Sequence, residues 1–594
     1  MAALFTTPKR NDTTAGTHVA EPDVRRRIGV AHGSWRRVTR RIVVGAVCAL
    51  TVSSLLMPSV SLAAEWVKVG GNKYNTAASD EAGTWSWDGA DDLKLNNYNG
   101  GEIQAAGKLN VNYSGTNIVT AEWIEGINVS HGTNENAELN IQGDAGSTLS
   151  VTSTEDAILS TGNINIDGAG SVNATSTGFD AINAGGDLAI KGSGNVNATG
   201  ASDGIRANGN ITIDDSGAVT ARATEDKGIG TDKNLTIKGG GTVEASSADG
   251  EALWSGGNIN ISDGSQVKAS SEKDAAVEAK GSLAATNASL NVNGVKYGVY
   301  AYKGITLDHA NVTVRAGKGR YGGAIALFTY PGDIVVKNGS TVDAFAEGEV
   351  SAAFSTRSDR PNEEGGHIYI SDSVVKAIAR YVENGDGPIP YSENQDGETS
   401  PEPQGENIGI IAQTSEGVTP AVVSIIRSKV TAEGDTAAIF ARAMSADGKT
   451  IGTIKIENAA IQTPEGGKVI DYRKLRDGIY EAGQAIGTGD AVIDSPYNEA
   501  VAKSMVIAPP EVAKPEDPMP DETKPAESKP AESKQNPKPE GSKPTKAVAA
   551  SITKAKTTGV LAATGDTSGA AIVAAALAGT AAIAAGAVVS RKHS

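Results

Sequence analysis

The 594-residue chain carries 71 glycines, 4% aromatic residues and a formal net charge of −17. That balance excludes a conventional aromatic-rich globular core and disfavours nucleic acid, whose phosphates an acidic surface repels. The single cysteine, Cys48, falls in a segment expected to be removed, which would leave the mature chain no disulfide, thiolate nucleophile or cysteine metal site.

Arginines crowd the run from Arg36 to Arg41, an apolar stretch follows from Ile42 to Leu56, and small residues occupy 59 to 64. This order makes residues 1–64 a secretory signal peptide with a long basic, disordered lead-in. Ser61 and Ala63 set the small-x-small pattern, so cutting is expected after Ala63 or Ala64. Residues 65–136 hold four of the five mature tryptophans, Trp66, Trp85, Trp87 and Trp123. The stretch from Trp85 to Leu95 reads as strand, tight turn, strand. Aromatics suit a cap that shields the open end of a repeat stack, and an N-terminal cap is the expectation for this segment.

Residues 137–345 are one pattern written many times. Paired apolar positions recur every 23 to 25 residues: Leu139/Ile141, Ile164/Ile166, Leu188/Ile190, Ile211/Ile213, Leu235/Ile237 and Ile259/Ile261. A second pair follows in each unit, as in Val172/Ala174 and Val196/Ala198, and then a third short segment, as in Ala181-Ile182 and Gly204-Ile205. All three alternate apolar with polar residues, which is strand periodicity, and Gly, Asn or Asp separates them. The fold class expected is all-β: a three-faced parallel β-helix of about 24-residue coils, right-handed because parallel crossovers favour that hand. A thin core of Ile, Val, Leu and Ala explains the scarcity of aromatics. From 346 to 508 the pairs Ile368/Ile370, Val423/Ile425 and Ile454/Ile456 are more widely spaced, which predicts an irregular continuation with inserted loops. The insertion 381–406 is acidic, with Glu383, Asp386, Glu393, Asp396, Glu398, Glu402 and Glu406. It reads as a solvated loop or a place for a cation or basic partner.

Residues 509–560 are rich in Pro, Lys and Glu, including Lys-Pro-Ala-Glu-Ser in tandem from 524 and 529; such a chain favours extended polyproline II and serves as a spacer. Leu561, Ala562, Ala563, Thr564 and Gly565 then precede an apolar run from Ala570 to Val589, closed by Arg591 and Lys592. The run is long enough for a transmembrane helix and the basic tail holds its end on the cytoplasmic side. Pentapeptide, span and tail together resemble the cell-wall sorting signal read by sortases, in the variant of high-GC Gram-positive actinobacteria that carries alanine second. The resemblance implies cleavage between Thr564 and Gly565 and transfer of the Thr564 carbonyl to a peptidoglycan amine, with sortase and peptidoglycan as partners.

The phrases Gly178 to Ile182 and Ser202 to Ile205 resemble a carbohydrate-binding β-helix family, related in shape to polysaccharide lyases and including calcium binders. The resemblance covers roughly 137 to 310 and implies an extracellular polysaccharide or host glycan as ligand. Aligning the third segments places Leu159, Asn183, Arg206, Gly230, Trp254, Glu278, Tyr300 and Phe328 at one outward position. Trp254, Tyr300, Phe328 and neighbouring Tyr302 are the expected sugar-stacking residues. Asp156, Asp180, Asp203 and Asp274 recur near one turn. They either shape that turn through side-chain to backbone bonds or hold calcium. His131, His309, His367 and His593 show no zinc spacing, and the match at Gly317, Gly319 and Gly322 to a nucleotide loop precedes no helical pattern. The expectation is a wall-anchored, non-enzymatic adhesin. A polysaccharide lyase built around Arg206 and a purely architectural coat protein are the alternatives.

Overall fold

The computed structural model describes residues 63–510, apart from 133–136, 318–322, 360–364, 383–405, 416, 477–478 and 488–499. The expected leader, the sorting motif with its span, and nearly all of the linker lie outside the described residues.

Period-2 alternation cannot bury a strand's apolar face unless another copy lies above and below it. The chain meets that demand by cycling through three sheets. Strands such as Leu188–Lys191, Ile211–Asp214 and Leu235–Lys238 build a first face. Val196–Gly200, Ala218–Ala223 and Thr242–Ser247 build a second, and Ile205–Ala207, Ile229–Thr231 and Leu253–Ser255 a third. Each strand pairs in parallel with its counterparts one coil before and one coil after. The architecture is a three-faced parallel β-helix.

Register follows the apolar pairs. On the first face Leu188 aligns with Ile211, Ile211 with Leu235 and Leu235 with Ile259; on the third, Ile182 aligns with Ile205, Ile229 and Leu253 in succession. These columns point inward and are fully buried, forming one continuous core from the N-terminal cap to Ile507. Polar residues at the corners tie coil to coil. Ser153, Ser176, Ser247 and Ser271 each donate a hydroxyl to a carbonyl in the preceding coil. Asn163, Asp187, Asn210, Asn234 and Asn258 each accept, through Oδ1, the backbone N–H one coil further on.

Two boundaries differ from the sequence expectation. Parallel pairing on the first face begins at Asp92–Asn96, inside the segment read as cap. The cap proper is the antiparallel set that precedes it. Trp85–Trp87 pairs with Ala78–Ser79 and with Asp92–Asn96, and the hairpin Trp66–Val69/Asn72–Tyr74 lies against Ile103–Ala106. Trp85 and Trp87 are buried there, and Trp85 tilts against Tyr74 with ring centroids 5.1 Å apart. Trp123 behaves otherwise, as shown below. At the other end, the widely spaced pairs keep their register: Ile334 aligns with Ile368, then Val423, then Ile454. The extra residues are accommodated between strands and leave the stack intact. Antiparallel strands close this end too, the hairpin Lys468–Arg476/Ile479–Gly487 on the third face and Ser504–Ala508 on the second.

Against that C-terminal hairpin a second apolar cluster gathers outside the main core, including Ile408, Ile411, Phe440, Ile470 and Tyr472. Beside it, Arg442 is buried. Its guanidinium donates to Glu406 at 2.9 Å and Gln413 at 2.9 Å and lies 3.8 Å from Glu481. The Tyr472 hydroxyl is buried there with no hydrogen-bond partner. Glu406, read as part of a solvated loop, is thus held by an interior cation; residues 383–405 of that loop lie outside the described residues.

Candidate binding groove on the third face

Parallel register turns one position of every third-face strand into an outward column. Pairing places Asn183, Arg206, Gly230, Trp254, Glu278, Tyr300 and Phe328 on it in successive coils. The column divides into two parts that differ chemically.

The first is a groove of about 600 Å³ lined by Asp203, Arg206, Asp226, Lys227, Asp232, Glu251, Trp254 and Glu278, among others. Between Arg206 and Trp254 the column holds Gly230, which is buried beneath the Lys227 side chain. A Cβ there would meet the flexible end of Lys227, at 2.8 Å from its Cδ, before any backbone. Lys227 Nζ lies 5.3 Å and the Arg206 guanidinium 5.8 Å from the Trp254 ring centroid. Every cation here has an acid beside it: Arg206 with Asp232 at 2.6 Å, Lys227 with Asp226, and Lys280 with Glu278. Glu251 and Glu278, from adjacent coils, hydrogen-bond carboxyl to carboxyl. Burial together with that bond pushes Glu251 up to about 7. The groove thus alternates donors and acceptors around an indole face.

The second part is an aromatic cluster. Tyr300 packs on Tyr302 at 4.6 Å, on Phe328 at 5.0 Å and on Tyr297 at 5.1 Å between ring centroids, and Tyr297 stacks on Phe328 at 5.3 Å. These rings spend their faces on one another. The expected open row of sugar-stacking rings is replaced by one separate indole and a self-packed cluster, because Glu278 stands between Trp254 and Tyr300 on the column.

Of the aspartates, Asp156, Asp180 and Asp203 share a column two residues before the aligned isoleucines. Asp156 accepts the amide of Asp180 at 2.9 Å, Asp180 that of Asp203 at 2.9 Å, and Asp203 that of Lys227 at 2.7 Å. Lys227 and Glu251 continue the column. Asp274 stands one residue out of register and pairs with Lys296 at 2.8 Å. The four do not converge as a ligand shell, and three of them template the next turn. Among the described residues, the acidic group whose oxygens lie within 4.8 Å of one another is Asp88, Asp91 and Asp92, in a cap turn.

Burial raises Asp156 and Asp203 to about 6, with neighbouring carboxylates adding to the rise. A carboxyl raised above its unfolded value binds more protons folded than unfolded between about pH 4 and pH 6, so stability falls as pH rises through that window. At neutral pH the whole penalty is present. Asp203→Asn keeps an Oδ1 for the Lys227 amide and removes the charge. Thermal unfolding at pH 7.5 is expected to shift upward, by an amount on the order of 1–3 kcal/mol, with little change at pH 4. An equal shift at both pH values would contradict this account.

A further groove on the first face is lined by Asn163, Asp187, Asn210, Asn234 and Asn258, whose carboxamide and carboxylate oxygens already hold the coils together. Comparison with known proteins found no matching family model, no matching curated relative and no matching solved structure.

Proposed function

We propose that this chain is a surface protein fixed to the cell wall of a Gram-positive bacterium through its C-terminus, and that it binds glycans in the third-face groove. The reading carries no catalytic role. The observation that supports it best is Trp254 in the groove: one indole with paired acids and bases around it suits a sugar ring's apolar face and its vicinal hydroxyls. A rigid stack, taken as right-handed, holds these groups on neighbouring coils with fixed spacing, so little ordering is required on binding. Calcium has no part in the reading, since the aspartates serve the turns. At the amino end, Ala64 is buried in the core, which favours cutting after Ala63 over cutting after Ala64.

The test is a glycan array probed with the full-length chain and two variants. Trp254→Ala removes the stacking face, and Arg206→Ala removes the groove's guanidinium donor. Both are expected to weaken binding about tenfold or more. Absence of wild-type binding to any polysaccharide or mucin, with or without calcium, would sink the glycan reading and leave a coat protein. Binding unchanged in both variants would move the site elsewhere.

A further inference from the structure

Trp123 is 80% exposed and its backbone sits at φ 64°, a conformation bulky residues rarely adopt. It lies in the turn between the second-face strand Thr116–Thr120 and the third-face strand Ile127–Ser130. The Thr154 hydroxyl of the next coil accepts its N–H at 2.8 Å and fixes the turn. Two coils on, at the same corner, Phe179 is 50% exposed, its N–H held by Ser176 Oγ at 2.9 Å. Two coil rises separate the two turns by about 9.6 Å along the stack. They are the two aromatic side chains with the highest exposure among the exposed large apolar residues described.

Charge says what would cover them. Residues 116–130, 148–160 and 171–184 form the second face, corner and third face of these coils, and they contain no Lys or Arg. They contain Glu122, Glu125, Glu155, Asp156 and Asp180. Asp156 and Asp180 are bonded into the turns, which leaves Glu122, Glu125 and Glu155 as the surface acids, and an aromatic face amid them attracts a cation through the ring quadrupole and through charge together. In a polyproline II segment, with three residues per turn and a rise of about 3.1 Å each, side chains three residues apart share a face about 9.3 Å apart, close to the separation of the two turns.

We propose that this corner is a docking surface for a basic peptide segment of a partner protein in polyproline II conformation, with Lys or Arg side chains three residues apart seated on Trp123 and Phe179. The site is separate from the Trp254 groove and does not depend on the glycan reading.

Fluorescence anisotropy of a labelled peptide with lysines at every third position, titrated with the full-length chain, tests this. Binding is expected, salt-sensitive, and weakened about tenfold by Trp123→Ala and by Phe179→Ala but not by Trp254→Ala. Both rings are exposed, so the variants leave the core untouched; a peptide with glutamine in place of lysine should not bind. Three results would overturn the proposal: no wild-type binding at low salt, equal binding by the Trp123→Ala and Phe179→Ala variants, or tighter binding of the chain's own Lys-Pro-Ala-Glu-Ser segment than of the lysine peptide. Loss of neutral oligosaccharide binding on Trp123→Ala would likewise overturn it and make the corner a sugar site.

Discussion

Arg442→Ala is expected to cost about 3–5 kcal/mol and to open the C-terminal end of the stack before the rest. The loss is large because the cation is interior and its partners stay behind. Glu481 and the Gln413 carboxamide are buried, and Glu406 is partly so. Deleting the guanidinium strands two carboxylates that water reaches poorly. A solenoid yields coil by coil, so the appropriate measurement is amide exchange in Asn407–Thr414, Ala437–Ser445 and Ile479–Gly487. Those strands should lose protection while Leu188–Lys191 keeps its own. Glu481→Gln in the Arg442→Ala background should restore part of the protection. Uniform loss along the stack, or none, would refute the account. Tyr472→Phe makes the contrasting case beside it: it removes a buried hydroxyl without a partner and should leave the same strands as protected or more so.

Thr564→Ala should abolish covalent attachment to the wall. The sorting reading requires an acyl transfer in which the peptide bond after Thr564 breaks and its carbonyl passes to a peptidoglycan amine. On the same reading, with the motif spoiled, the apolar run 570–589 would keep the chain at the membrane or the chain would escape to the medium. Purified walls, boiled in detergent and then digested with a muramidase, should release the wild-type chain and none of the variant. Recovery of the variant in equal amount from such walls would remove the anchoring proposal and leave the groove on the third face unaffected.

Much of this architecture was legible in the sequence, because inward columns of Ile, Val, Leu and Ala leave a period that nothing else produces. Leu139 to Leu307 could be set in register from spacing alone, and the outward column from Arg206 to Phe328 with it. The first coils were not legible. Their inward and corner positions are taken by Tyr98, Tyr113 and Asn117, all buried, which break the aliphatic pattern while filling the same space. The late coils looked irregular because insertions between strands change spacing and leave register alone. At the candidate site, Trp254 could be read from its column, but the Glu251–Glu278 bond could not. It joins different positions of adjacent coils and exists only once the coils are stacked. Asp274 misled for a related reason: corners vary in length by a residue, so a shared letter there does not mean a shared place. Trp123 shows the limit of composition as a guide, since four tryptophans in one segment suggested a single job, and the backbone at Trp123 turns that ring out to solvent.

The ladder at the corners also has a direction. Asn163, Asp187, Asn210, Asn234 and Asn258 each offer an oxygen forward, to the amide of a coil that comes later in the chain, and Asp156, Asp180 and Asp203 do the same at another corner. Whichever coil forms first, the edge it presents toward the C-terminus carries its acceptors already in place. Extension toward the C-terminus therefore meets acceptors already fixed, and the last strands, turned antiparallel, end the parallel stack.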